Sequence, residues 1–178
     1  MATHVMIDLE TLDTKPSASV LTLGAVKFNP FTFNDPHSEL YIKLDLDEQD
    51  RLGRSVSDST IEWWGQQDPK IQEDAFSEDG RQSIAATLAQ INRYVVGADV
   101  IWAQGYGFDI TILEDIYRQT KTPFPWDFWR IRDSRTLISL LPEDPRKSMQ
   151  SDLHNALADA YYQAKAVQIA YDRLGIKK

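Results

Sequence analysis

Short apolar runs that alternate with polar residues dominate the first 45 positions of the chain, which is the pattern of β-strands. Three strands are predicted, one over residues 5–11, one over Val20–Phe28 and one over Glu39–Leu44. Polar turns that contain Pro16 and Pro30 separate them. Because the connections are short, the opening of the chain is predicted to be an antiparallel meander.

Helical spacing replaces this alternation after about residue 58. Ser59 and Glu62 have the spacing of a capping box, ahead of a helix that contains Trp63 and Trp64. Apolar residues three or four positions apart predict a second amphipathic helix between Gly80 and Gly97.

Strand and helix alternate in the second half of the chain. Val100–Ala103 is predicted to be a short buried strand, and a helix is predicted to follow through residues 110–117. A short helix is predicted to end at Leu141, and an alanine-rich helix is predicted from about Asp152 to Leu174. Successive strands followed by alternating strand and helix indicate an α/β domain with a mixed sheet.

The composition adds the broad class of protein. With 178 residues, 42% hydrophobic and 26% charged, we expect one soluble globular domain over residues 1–178. The absence of cysteine and of a recognisable secretory signal or membrane span leads us to expect a cytoplasmic protein with no membrane partner. The net charge of -8 argues against a protein that coats nucleic acid nonspecifically, but it is compatible with a nuclease whose acidic residues bind cations.

Asp8 and Glu10 end the first predicted strand. Residues i and i+2 of a strand point to the same side, so these carboxylates are expected side by side, about 7 Å apart. Two such charges repel each other unless a cation joins them. Oxygen ligands favour Mg²⁺ or Mn²⁺ over zinc in a chain with no cysteine and three histidines. An isolated pair of this kind is nevertheless more often an ordinary feature of a strand or turn.

Two further carboxylates lie where the predicted structure changes, Asp109 at a strand-to-helix junction and Asp159 in the last helix. Ligands at sheet ends and in covering helices can meet in one crevice, where four carboxylates could hold two divalent cations around a scissile phosphate. His154 precedes Asp159 by five residues, or about 140° of helix, so we expect it at or just before the first helical turn, reaching over the site. There it could accept a proton from water. Individually, Asp109 could be a helix cap, His154 a surface or core histidine and Asp159 an ordinary helix carboxylate.

These residues together resemble a known family. Asp8-Leu9-Glu10, Phe108-Asp109 and the segment His154–Asp159 look like the three motifs of the DEDDh branch of the DnaQ-like, or RNase T-like, exonucleases. Residues 59–64 and 132–136 resemble segments of the bacteriophage DexA exonucleases, which also makes a phage origin an expectation. The histidine motif is similar to RNase AS, a bacterial exoribonuclease. Gln104 departs from the asparagine that many relatives carry five residues before the second motif's aspartate.

The resemblance implies an RNase H-like fold, with a mixed five-stranded sheet and helices on both faces. It also implies that nucleotides are removed in the 3′-to-5′ direction from a single-stranded DNA or RNA 3′ end and released as nucleoside 5′-monophosphates. DNA is the preferred expectation, because the DexA-like segments are the longer match. An exoribonuclease is the alternative, and a nucleic-acid-binding module without catalysis is the alternative from another class.

The same resemblance implies individual roles and two divalent cations, Mg²⁺ or Mn²⁺. Asp8, Glu10 and Asp159 would bind the first cation, with Asp8 bridging to the second. Asp109 would hold the second cation largely through water, and His154 would be the general base. A homodimer is a further expectation, since dimers are common in this superfamily.

Candidate substrate contacts complete the sequence-based picture. In the family, the residues at the positions of Thr11 and Leu12 help hold the terminal nucleotide, although a strand end followed by a core leucine has the same pattern. Trp63 and Trp64 differ by about 100° around a helix, so only one can face the core. We assign Trp64 to base stacking.

Three other residues are predicted to contact the substrate, namely Phe108, Arg132 and Arg135. The two arginines belong, with Arg130, to the one compact basic cluster of the chain. Contact with phosphate and salt bridges within this acidic protein are equally consistent with that cluster.

Overall fold

The computed structural model of the protein describes residues 2–149 and 154–178. One mixed sheet contains strands β1 (His4–Thr11), β2 (Val20–Phe28), β3 (His37–Leu44), β4 (Arg81–Gln82), β5 (Val100–Ala103) and β6 (Ile131–Asp133). The α-helices are α1 (Leu46–Arg51), α2 (Asp58–Trp64), α3 (Pro69–Phe76), α4 (Ile84–Tyr94), α5 (Asp109–Gln119), α6 (Ser134–Ile138) and α7 (Ala156–Arg173). Two 3-10 helices cover Phe128–Arg130 and Pro145–Ser148.

The strands follow the order β4-β3-β2-β1-β5-β6 across the sheet. Strands β1, β2 and β3 are antiparallel neighbours, which confirms the predicted meander. Strand β5 pairs with β1 in parallel, and β6 pairs with β5 in parallel. The α/β class with a mixed sheet is therefore confirmed, and β1 lies inside the sheet with a partner on each side.

The predicted number of strands was wrong by one. Neither β4 nor β6 was assigned to residues from the sequence, and β4 is the shorter of the two: its residues pair in parallel with Lys43 and Leu44 at the end of β3. Two residues are too few to carry an alternating pattern, so the sequence assigned them to the following helix. That helix begins only at Ile84, because the Ser83 side chain accepts a hydrogen bond from the N–H of Ala86.

Two helix starts also differ from the prediction. Ser57 caps α2 instead of Ser59, since its hydroxyl accepts the N–H of Thr60. Helix α7 begins at Ala156, and the predicted start at Asp152 falls outside the described residues. The short helix α6 ends at Ile138, three residues before the predicted Leu141.

The alternation along β1 determines where its carboxylates point. The odd-numbered residues from Val5 to Leu9 belong to the core beneath α4 and α5. Met6 belongs to the second core cluster, which includes alanines of α7. Asp8 and Glu10 share the side of Met6, so the strand directs both toward α7. With α4 and α5 on one face and α7 on the other, the predicted helices on both faces are confirmed.

A third apolar cluster closes the end of the sheet that carries the carboxylates. Trp64, Leu12 and Leu21 form it together with Ala75 of α3. The indole N–H of Trp64 donates to the carbonyl oxygen of Thr11 at 3.0 Å, which joins α2 to the end of β1. In the part of the chain that is described, no helix is long and apolar enough to cross a membrane.

Candidate active site

Strand β1 presents Asp8 and Glu10 on the side facing α7. Asp8 pairs with Gly24 of β2 and Glu10 pairs with Thr22, so main-chain bonding to β2 fixes the spacing of both residues. The Gln163 amide of α7 donates to Asp8 Oδ1 at 2.8 Å. Since α7 reaches across to this strand, the predicted pair of carboxylates lies between sheet and helix.

Asp109 reaches the same place from the first residue of α5. Its Oδ1 accepts the N–H of Leu9 at 3.0 Å, although the two residues are a hundred positions apart in sequence. The side chain is buried, and as the first residue of a helix it lies where backbone N–H groups favour a negative charge. This hydrogen bond fixes the N-terminus of α5 against β1 at Leu9, the residue between Asp8 and Glu10.

His154 and Asp159 enter from the start of α7. Asn155 caps the helix, because its side-chain oxygen accepts the N–H groups of Leu157 and Ala158 at 3.1 and 3.0 Å. His154 has a φ of 69°, a left-handed conformation that is uncommon for a residue with a side chain and is found at functional sites. Its N–H donates to Asp159 Oδ2 at 2.9 Å. The predicted position of His154, just before the first turn, is confirmed.

The ligand atoms of three residues converge at this point. One atom from each of Glu10, His154 and Asp159 lies within 4.8 Å of the other two, which is a spacing that a single metal ion can bridge. A missing side chain on β2 permits this approach. A Cβ atom on Gly24 would lie 2.1 Å from the backbone carbon of Ala156, so only glycine lets the start of α7 come so close to the sheet.

A polar network holds the α7 cap from outside the carboxylate cluster. Asp74 of α3 accepts hydrogen bonds from the Tyr41 hydroxyl at 2.5 Å and from the Asn155 amide at 3.0 Å. Lys43 lies 3.4 Å from the second oxygen of Asp74. Because Asn155 both caps α7 and binds Asp74, helix α3 fixes the residue that immediately follows His154.

Burial raises the pKa values of all four carboxyl groups, and repulsion from the other carboxylates adds to it at Asp8 and Glu10. Burial is the largest cause at each of them, and it raises the pKa of Glu10 to about 8 and that of Asp109 to about 7. The pKa of Asp8 rises well above its usual range through burial and the charges of Asp109, Glu10 and Asp159. Burial also raises the pKa of Asp159. Within residues 2–149 and 154–178 none of the four forms an ion pair, so divalent cations fit this donor set.

The two adjacent tryptophans have the opposite positions to those we predicted, since Trp64 is buried and Trp63 is partly exposed. Trp64 is 2% exposed and belongs to the core, so its prediction as the base-stacking residue was wrong. Trp63 is 38% exposed, and its ring packs edge-on against the His154 ring with 4.7 Å between centroids. The helix had to bury one of the two, and the indole N–H bond to Thr11 selects Trp64. Thr11 and Leu12 are themselves buried beside this ring.

The remaining predicted contacts lie on the α5 side of the cluster. Phe108 precedes Asp109 and packs partly against the core. The Arg135 guanidinium donates to the Gln104 carbonyl oxygen at 3.2 Å and lies close enough to lower the pKa of Asp109. Arg132 lies further along β6, where its guanidinium donates to the carbonyl oxygens of Trp129 and Ile131. The structure therefore places Arg135 beside the carboxylates and Arg132 away from them.

Gln104, the departure from the family pattern, takes part in a second network. Its side-chain oxygen accepts the Ser134 hydroxyl at 2.5 Å. Next to it, the Asp133 carboxylate accepts the N–H groups of Gly105 and Tyr106, each at 3.2 Å, and caps α6. The start of α6 thereby fixes the turn that leads into Asp109.

Gly24, Asp74, Asn155 and Gln163 were not predicted from the sequence to belong to the site. The spacing of Asp159 and Gln163, four positions apart on one helix, places both on the same face and could have indicated the contact with Asp8. Gly24 lies inside an otherwise regular strand, which is a signal of close backbone approach. Asp74 carries no comparable signal, because its partners lie 33 and 81 positions away.

A mixed sheet of this order, with three carboxylates and a histidine between β1 and α7 and Asp109 at the start of α5, matches the arrangement that the resemblance implied for a 3′-5′ exonuclease with an RNase H-like fold. A family model for the 3′-5′ exoribonuclease Rv2179c-like domain matches residues 3–171. The chain belongs to this family and is a phosphodiester hydrolase that acts as a 3′-5′ exonuclease.

Two kinds of relative extend the comparison. The exodeoxyribonuclease of Enterobacteria phage T4 is 30% identical over 161 residues, which cover 76% of this chain and 70% of the phage protein. A zinc-bound complex of E. coli exonuclease I with single-stranded DNA superimposes with a TM-score of 0.73 at 17% identity, over 98% of this chain and 42% of that protein. Exonuclease I from Methylocaldum szegediense gives a TM-score of 0.69 at 12% identity, over 99% and 42% of the two chains. The chain thus spans less than half the length of these solved proteins, and the likeness to them supports the fold.

Proposed function

We propose that residues 1–178 act as one exonuclease domain that removes nucleotides from the 3′ end of single-stranded DNA. Asp8, Glu10, Asp109 and Asp159 bind two divalent cations, Mg²⁺ or Mn²⁺, and His154 is the general base. The products of each cycle are a nucleoside 5′-monophosphate and a strand shortened by one nucleotide.

One observation carries this proposal. Four carboxyl groups meet where β1, α5 and α7 converge, Glu10 and Asp109 buried and Asp8 and Asp159 half-buried, and no ion pair among the described residues compensates their charge. Such a cluster is unfavourable for the fold unless cations bind to it, so its presence is best explained by its chemistry. Bound cations would polarise the phosphate and stabilise charge on the attacking and leaving oxygens.

Residues of the chain accept the proton that the attacking water loses and fix the geometry of hydrolysis. The oxygen of a water molecule attacks the terminal phosphorus while the bond from phosphorus to the 3′ oxygen of the preceding nucleotide breaks. An imidazole nitrogen of His154 accepts the proton of that water, because the ring lies beside both Glu10 and Asp159. Trp63 packs on the His154 ring and limits its orientation.

The terminal nucleotide has a natural position between the cluster and α2. Thr11 ends β1 on this side and Leu12 follows it, and the exposed part of Trp63 offers a surface for a base. Phe108 and Arg135 border the cluster from the α5 side, where Arg135 would contact phosphate. Trp63 replaces Trp64 as the proposed stacking residue.

The choice between DNA and RNA rests on the relatives. The phage T4 relative is an exodeoxyribonuclease, and its 30% identity over most of this chain supports DNA. The family description names an exoribonuclease, which supports RNA as the second candidate substrate. A homodimer stays a prediction.

Digestion of matched 5′-labelled DNA and RNA 12-mers tests the proposal. We expect a ladder that shortens from the 3′ end with Mg²⁺ or Mn²⁺ and no products with EDTA, and DNA is expected to be the faster substrate. Asp8→Asn should bind the strand and leave it uncut. Faster digestion of RNA would reverse the substrate assignment, and binding without cleavage by the wild-type protein would instead support a non-catalytic module.

A further inference from the structure

An apolar groove runs along the free edge of β6, between that strand, α5 and the end of α7. The groove has a volume of about 720 Å³ and is lined by Tyr106, Ile110, Phe128, Arg132, Thr136 and Leu140, among others. Strand β6 ends the sheet order, so its outer edge has no strand partner in the described part of the chain. Exposed strand edges are normally short, charged or covered. We call this feature the β6-edge groove.

Large aromatic surfaces are exposed around the β6-edge groove. Phe128 is 80% exposed, Trp129 is 59% exposed and their rings pack edge-on with 5.0 Å between centroids. Tyr106 is 52% exposed at the other end of the groove. An isolated exposed aromatic side chain needs no explanation, but several along one groove indicate a binding surface.

The β6-edge groove borders the turn that leads into the candidate active site. Tyr106 belongs to the turn that Asp133 holds through two N–H groups, and this turn leads directly into Asp109 at the carboxylate cluster. The lining residues of α5 then continue from Ile110 away from the cluster. A strand that leaves the cluster over this turn would reach the groove at Tyr106.

The charges of the β6-edge groove favour an anionic occupant. Of the basic cluster, Arg130 pairs with Asp127 at 3.5 Å, whereas neither Arg132 nor Arg135 forms an ion pair within the described residues. The two carboxylates that line the groove are already bonded: Glu114 pairs with Arg118 at 3.0 Å, and Asp133 accepts backbone N–H groups. In a chain with a net charge of -8, Arg132 within the groove and Arg135 between the groove and Asp109 lie near aromatic surfaces, a combination that matches a phosphate backbone with its bases.

We propose that the β6-edge groove binds the nucleotides on the 5′ side of the scissile bond of a single strand. Bases stack on Tyr106 and Phe128, while Arg132 and Arg135 contact phosphates. This proposal rests on the proposed exonuclease function and adds a second contact region to it. It also gives Arg132 a role, although the structure places that residue away from the carboxylates.

The test compares substrate lengths in the full chain. The reference reaction is hydrolysis of thymidine 5′-monophosphate p-nitrophenyl ester, which is too small to reach the groove. For the double variant Phe128→Ala, Trp129→Ala, we expect the preference in kcat/KM for a DNA 12-mer over a dinucleotide to fall about tenfold, because stacking of one base is worth roughly that factor. Phe33→Ala is the matched control, since Phe33 is 60% exposed and does not line the groove.

Salt dependence supplies an independent measurement. Arg132→Gln should reduce the slope of log KM for the 12-mer against log salt by about 0.7, the value for one phosphate contact on a single strand. Arg132→Lys should retain the wild-type slope. Unchanged length preference together with an unchanged slope would overturn the proposal. A groove variant that changes only the molecular mass measured in solution, with length preference and salt slope unchanged, would also overturn the proposal. Such a result would indicate a protein partner at the groove.

These outcomes are separate from the failure of the exonuclease function itself. If the wild-type protein cleaves neither the ester nor any oligonucleotide, the exonuclease proposal fails. If it cleaves all of them and the groove variants retain its length preference, only the proposed role of the β6-edge groove in binding the strand is excluded.

Discussion

The carboxylate cluster has a sheet side and a helix side, and they are held in different ways. Asp8 and Glu10 lie on β1, which is bonded to strands on both sides and packed by core residues on both faces. His154 and Asp159 lie at the start of α7, which reaches the sheet across Gly24 and is held by the link between Asn155 and Asp74.

This difference separates two kinds of contribution to catalysis. The sheet side is rigid because many main-chain bonds would have to break together before Asp8 moved. The helix side depends on a few individual contacts, each of which can be removed by one substitution. We therefore expect sheet-side substitutions to change the charge of the site with its geometry intact, and helix-side substitutions to change its geometry with its charge intact.

The largest effect is expected from Glu10→Gln. The substitution keeps size and burial but removes one negative ligand, so turnover should fall by about 1,000-fold or more, which corresponds to roughly 4 kcal/mol of transition-state stabilisation. Isothermal titration with Mn²⁺ should show weakened or lost binding. Near-normal turnover would exclude Glu10 as a ligand.

The same variant should be more stable than the wild type without metal. The pKa of Glu10 is raised from 4.5 to about 8 by burial, so the folded state holds a proton that the unfolded state releases, and stability falls as the pH rises between these values. In EDTA at pH 8, the Tm of Glu10→Gln should exceed that of the wild type by about 5 °C. Mg²⁺ should raise the Tm of the wild type more at pH 8 than at pH 5. Equal Tm values at pH 8 would contradict the raised pKa.

The next largest effect is expected from Gly24→Ala, a substitution in β2 that acts on the helix side of the cluster. The new Cβ would lie 2.1 Å from the backbone of Ala156, so α7 has to move away from the sheet and carry His154 and Asp159 with it. We expect kcat to fall about 100-fold, because small displacements of catalytic groups have effects of this order. Gly65→Ala is the control, since its Cβ would meet one carbonyl oxygen at 3.3 Å.

A folded Gly24→Ala protein is required for this conclusion. Its circular dichroism spectrum should match that of the wild type, and Mn²⁺ should bind more weakly because Asp159 has moved. Full activity in a folded variant would show that the close approach of α7 is dispensable.

A smaller effect is expected from Asp74→Ala. The substitution removes the acceptor of the Asn155 amide and of the Tyr41 hydroxyl, which loosens the cap next to His154. We expect kcat to fall about tenfold with little change in KM. This is the range typical of residues that orient metal-binding side chains through hydrogen bonds. Asp74→Asn keeps an acceptor oxygen and should recover part of the activity. The exposed neighbour Glu73 provides the control Glu73→Ala, and equal kcat in both alanine variants would remove Asp74 from the mechanism.

The sequence predicted the sheet side more completely than the helix side for a physical reason. Alternation in a strand places Asp8 and Glu10 on one side whatever the rest of the chain does, and the helical offset of His154 from Asp159 follows equally from local geometry. Contacts such as Asn155 with Asp74 depend on packing between elements that are far apart in sequence. Strand β4 escaped prediction for the same reason, because its two residues are strand only through their pairing with β3.

The smallest effect is expected from Trp63→Ala, and it separates the two tryptophans that the sequence could not assign. Loss of the ring beside His154 should lower kcat/KM about fivefold with an unchanged Tm, since one partly exposed stacking surface is removed. Trp64→Phe, in contrast, removes a buried indole and its hydrogen bond to Thr11, so it should lower the Tm by several °C. Trp63→Phe should restore activity if an aromatic surface suffices. Activity loss in Trp64→Phe with a wild-type Tm would reverse the two roles.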